Sequence, residues 1–106
     1  MDERKIAEIL RHYSPEAQTV KAIEELAELQ TELARLLNKQ GSIETMKSEL
    51  ADVFIMITQL MAIFDIDPAE LDEIVEFKLD RQIRRIRGDD MPPAAPTAPR
   101  EEAEVE

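Results

Sequence analysis

Apolar residues recur along this chain at helical spacing, in four blocks separated by short polar or proline-marked breaks. Residues 2–12 put Ile6, Ile9 and Leu10 on one side of a short amphipathic helix. Ser14-Pro15 then offers an N-cap followed by proline at the first helical position, so a second helix is predicted from about Pro15 to about Asn38. Its apolar positions Ala22, Leu26, Leu29, Leu33, Leu36 and Leu37 form a broad stripe expected to be buried, with Lys21, Glu25, Glu28 and Glu32 along its flank. Gly41 is expected to end that helix and Ser42 to cap the next, over about 43–64. The fourth helix, about 68–87, opens on Asp67-Pro68 and carries Leu71, Ile74, Val75, Leu79, Ile83 and Ile86 along one side. Its acids gather early and its arginines late, which suits the helix dipole.

The third helix is the most informative. Positions 53–64 carry no charge, and Thr58 and Gln59 are their only polar side chains. A helix apolar all round must be covered on every side, and about 90 folded residues can hardly do so alone. The expectation is therefore a second copy of the chain, with this helix central to a dimer or a larger oligomer. Twelve residues are too few to cross a bilayer, which argues against a membrane span.

Composition narrows the picture further. The chain has 106 residues, two glycines, 4% aromatics and a formal net charge of −11. So few glycines and aromatics leave little for strands, and the expected fold is all-α, a four-helix bundle-like core in one domain over 1–90. From Met91 the sequence turns to proline, alanine and glutamate, which predicts a disordered tail over 91–106. The acidic balance disfavours nucleic acid and anionic membrane as partners. With no cysteine and no apolar N-terminal run, disulfides and thiolate metal sites are excluded and a cytoplasmic location is expected.

That same acidity contains one pattern of chemical interest. Glu25 and Glu28 are three residues apart on the second helix, and Glu49 and Asp52 repeat the spacing on the third. At about 100° per residue each pair projects from one helix face. The stripe through Glu49 and Asp52 continues as Met56, Gln59 and Ile63, so it turns inward. If the two helices pack as an antiparallel hairpin, four carboxylates converge and need a hard cation such as Mg²⁺ to offset their repulsion. A single ExxE pair is common in a chain with 35% charged residues, but two pairs on consecutive helices are more specific. Di-iron carboxylate bundles use Glu-x-x-His pairs, and the single histidine, His12, lies outside both pairs.

Glu24-Glu25-Leu26-Ala27-Glu28 matches an EExxE motif, and Glu49-Leu50-Ala51-Asp52 matches the ExxD that follows it after 20 residues. Over about Val20 to Arg87 the chain thus resembles the MazG-like, all-α nucleoside triphosphate pyrophosphohydrolases. The resemblance implies a helical, usually dimeric enzyme that uses Mg²⁺, or Mn²⁺ in its place, to cut between the α- and β-phosphates. Its products would be a nucleoside monophosphate and pyrophosphate, in a nucleotide-pool housecleaning role. Glu25, Glu28, Glu49 and Asp52 occupy the family's metal-ligand positions, and Glu24 its additional acid, which would orient a ligand or take a proton from water. Lys78 and Arg81 on the fourth helix, with Lys21, are the cations expected to hold the phosphate chain. The family often stacks the base on a tryptophan, which is missing here, leaving His12, Tyr13 and Phe54 as replacements. The alternative is a non-catalytic helical dimer, an adaptor that would use its acidic face or proline-rich tail to bind a basic partner. Its quartet carboxylates would diverge into solvent.

Overall fold

The computed structural model describes residues 1–88, and every regular element in them is an α-helix: α1 Glu3–His12, α2 Pro15–Leu37, α3 Ile43–Ile63 and α4 Pro68–Arg87. The tail expected over 91–106 lies outside the described residues. The chain divides into two compact units, Met1–Asp65 with the first three helices and a second that begins at Ile66 and contains α4. Among the described residues no helix is long and apolar enough to cross a membrane.

Side-chain caps set the helix starts. Asp2 accepts from the Arg4 and Lys5 amides, Ser14 from Ala17, Ser42 from Thr45 and Asp67 from Ala69. Each bond satisfies one of the amides that a first helical turn leaves without a carbonyl partner. The α2 terminus falls within a residue of the expected Asn38, and the difference lies in the turn beyond it. The helix stops at Leu37, and Lys39 rather than Gly41 takes the left-handed conformation, at φ 60°. Gly41 serves a close approach instead, since a Cβ there would lie 3.3 Å from that of Arg35. At the end of α4 the left-handed cap does fall on a glycine, Gly88, at φ 76°.

Within the first unit α2 and α3 pack side by side as a hairpin, and α1 lies against α3. The α2 line facing the seam is Gln18, Ala22 and Glu25, and the α3 line is Val53, Met56 and Gln59. Ile6 adds the buried residue of α1, with Ile9 and Leu10 half-buried beside it. The stripe expected to be buried is so only at Ala22, with Leu29 and Leu36 half-buried. Leu26 and Leu33 are half-exposed, and Leu37 is 85% exposed. The reason is geometric, because one neighbouring helix covers one narrow face and α3 meets the edge that carries Glu25. The uncharged part of α3 is likewise open on its outer side. Leu50, Phe54 and Ile57 rim an apolar hollow there, together with Val53 and the stem of Lys47. In α4 no side chain is buried; Phe77 is half-buried and lies under the Arg81 guanidinium, 5.5 Å from ring centre to Cζ.

Candidate metal centre

Hairpin register assembles the acidic centre. Residues of α2 run toward the loop as residues of α3 run away from it, so Glu25 and Glu28 meet Asp52 and Glu49. Carboxylate oxygens of Glu25, Glu49 and Asp52 all lie within 4.8 Å of one another. Glu25 is 7% exposed, and its Oε1, like Oε1 of Glu49, is enclosed without a hydrogen-bond partner. Buried acceptors are normally satisfied, and two orphaned carboxylate oxygens beside a third acid are a place where a cation could bind.

The electrostatics point the same way. Burial holds the Glu49 carboxyl above its ordinary value, and the neighbouring charge of Glu28 raises it further, followed by Asp52 and Glu25. Glu28 itself is exposed and lies against Glu49, within reach of a bond that a shared proton would close. The expected quartet is therefore a close triad with Glu28 at its edge. A cation stands beside it in the hairpin: Lys21 Nζ is 3.2 Å from Glu25 Oε2, and that contact raises the lysine pKa. Half of the Lys21 side chain is in solvent, so a single screened ammonium faces several carboxylates.

The donor set fits a hard divalent ion. Mg–O bonds of about 2.1 Å place opposite ligands about 4.2 Å apart, and Ca–O bonds of about 2.4 Å place them about 4.8 Å apart. The triad oxygens, all within 4.8 Å of one another, are near enough to share one such ion. All three ligands are oxygens of a kind these ions prefer, and no nitrogen or sulfur donor stands among them.

A cleft of about 530 Å³ opens beside the triad, and Glu25, Asp52, Tyr13, Ile55, Gln18 and Gln59 are among the residues that line it. Lys21 also lines it. Of the expected stacking residues, Tyr13 borders this cleft, and His12 is held edge-on to the Tyr13 ring at 4.5 Å. Phe54 does not border it; at 65% exposed, it belongs to the apolar hollow on the outer face of α3. Glu24 is exposed on α2, one position before the buried Glu25. Lys78 and Arg81 belong to the second unit.

The residues not anticipated here are Gln18 and Gln59. Gln18 Nε2 donates to Gln59 Oε1 at 2.7 Å inside the seam. A signal was available, since Gln59 sits in an otherwise nearly apolar run and Gln18 precedes Glu25 by two helical turns. Thr58, the other polar residue of that run, spends its hydroxyl on the Phe54 carbonyl of its own helix.

Comparison with protein-family models, with curated proteins and with solved structures gives no match for this chain.

Proposed function

We propose that this protein is a Mg²⁺-dependent nucleoside triphosphate pyrophosphohydrolase of the MazG-like kind. It hydrolyses a nucleoside triphosphate to the monophosphate and pyrophosphate in the cytoplasm. The observation that carries this reading is the convergence of Glu25, Glu49 and Asp52 from two helices, with two carboxylate oxygens enclosed and unpartnered. An adaptor would have no use for such convergence, since carboxylates that recruit a basic partner work best spread in solvent.

Glu25, Glu49 and Asp52 would hold the ion, and Glu28 would complete the set from its exposed position. Bound Mg²⁺ supplies charge neutralisation for the polyphosphate and a water of lowered pKa. Glu24, exposed one position before Glu25, is the acid assigned to take a proton from an attacking water. Lys21, already paired with Glu25, lines the cleft and is placed to turn its ammonium to a phosphate oxygen. Lys78 and Arg81 are assigned the outer phosphates by their charge. The working form is a dimer or larger oligomer of four-helix chains, in which a second copy covers Leu50, Phe54 and Ile57.

A panel of nucleoside triphosphates with Mg²⁺ tests the reaction. Pyrophosphate is expected as first product from at least one of them, with Mn²⁺ able to replace Mg²⁺. Orthophosphate as first product overturns the mechanism, and inactivity across the panel leaves the adaptor reading in its place.

A further inference from the structure

The register that brings Asp52 to Glu25 also brings Gln59 to Gln18, each seven residues further from the acids along its helix. Seven residues of α-helix rise about 10 Å. The amide pair therefore shares the cleft with the carboxylates but lies away from them, at a separation comparable to that between a nucleotide's α-phosphate and the far edge of its base.

Packing gives no reason for amides at this point. Ala22, Val53 and Met56 fill the neighbouring stretch of the same seam with apolar atoms, whereas Gln18 and Gln59 are only 8% and 2% exposed. Burying an amide is unfavourable unless its hydrogen bonds are replaced. Each primary amide has two N–H donors and two acceptor lone pairs. The bond from Gln18 Nε2 to Gln59 Oε1 uses one group from each residue. Among the capacity it leaves unused are the Gln59 NH₂ and the Gln18 carbonyl oxygen, a donor group and an acceptor on two residues that line the cleft. Ile55 and Met56 add apolar lining, and the exposed Tyr13 ring offers a face for stacking.

The pair has a further property. If both amides rotate by 180°, the bond between them re-forms in the opposite direction, and donor and acceptor exchange places. A carboxylate or a guanidinium cannot do this, because each is fixed as acceptor or donor. We propose that Gln18 and Gln59 are the specificity element of this cleft. They read the hydrogen-bonding edge of a nucleobase and accept either polarity of that edge, so amino and oxo bases are taken alike. This rests on the nucleotide-hydrolase reading for its ligand class, and the pair is a positioning and selecting element, outside the chemistry itself.

The test uses the full chain and matched nucleotides that differ in amino against oxo, CTP against UTP and ATP against ITP. With Mg²⁺ and pyrophosphate as readout, kcat/KM is expected to differ by no more than about threefold within each pair. Gln59→Glu can only accept at position 59, and it is expected to favour the amino member by about tenfold or more. Gln59→Leu, which removes both groups at similar volume, is expected to raise KM for both members together. A wild type that separates amino from oxo by more than about a hundredfold overturns the proposal, as do two variants that leave every ratio and KM unchanged. If no nucleotide yields pyrophosphate, the hydrolase reading alone has failed. The pair is then judged by the side-chain amide resonances of Gln18 and Gln59 in ¹⁵N-labelled protein titrated with CTP and UTP in Ca²⁺. Shifts with both nucleotides sustain it, and unmoved resonances overturn it.

Discussion

Replacing Asp52 by Asn separates a metal ligand from an ordinary surface acid. Without metal, Asp52 lies within 4.8 Å of the buried Glu25 carboxylate, oxygen to oxygen. Two unit charges at that distance repel by about 1 kcal/mol in water and by about 3.5 kcal/mol at an effective dielectric constant of 20. Asp52 is half-buried, so solvent screening brings the relief toward the lower figure, and the Lys21 contact to Glu25 offsets part of it. A net gain of about 1 kcal/mol in a domain of this size raises Tm by about 4–8 °C. Asp52→Asn is therefore expected to melt higher than wild type in chelator while losing pyrophosphate release. Mg²⁺ at about a hundred times its Kd should stabilise the wild type by about 2.7 kcal/mol and the variant by much less. Differential scanning calorimetry with and without Mg²⁺, alongside the pyrophosphate assay, reads both effects. A variant that melts lower in chelator and keeps its activity refutes the argument at this residue. Equal melting with and without metal marks Asp52 as a plain surface acid.

The raised Glu49 carboxyl gives a pH signature in metal-free buffer. Its folded value lies above the ordinary 4.5, so the folded state holds the proton more tightly, and stability falls as pH rises from 4.5 through the raised value. The metal-free wild type should therefore gain Tm on acidification toward that window, and Glu49→Gln should gain less; equal pH slopes would count against the strained cluster. Assembly is tested by sedimentation, where a folded 12.1 kDa species at micromolar concentration would remove the oligomer. Because Ile57 is 42% exposed within the single chain, Ile57→Asp is expected to lower the sedimenting mass while far-ultraviolet circular dichroism still reports helix.

The sequence alone determined the elements, because their signals are local. Ser14-Pro15, Ser42 and Asp67-Pro68 cap helices where they fall, since a side-chain oxygen two or three residues ahead of an unpaired amide needs no distant partner. The inward turn of Glu49 and Asp52 was legible too, because Met56 and Gln59 continue their line and are buried. The α2 terminus was legible to within a residue, although Lys39 rather than Gly41 takes the left-handed turn and the loop closes on Arg35. Only the tertiary structure decided which face of α2 meets α3. Periodicity offered Ala22 and five leucines as the buried stripe, yet the hairpin turned Gln18 and Glu25 into the seam beside Ala22 and left Leu37 in solvent. Spacing along one helix fixes which residues share a face. What that face packs against depends on the rotation and register of a second helix, and here these brought Glu25 to Asp52, left Glu28 at the edge and closed Gln18 on Gln59.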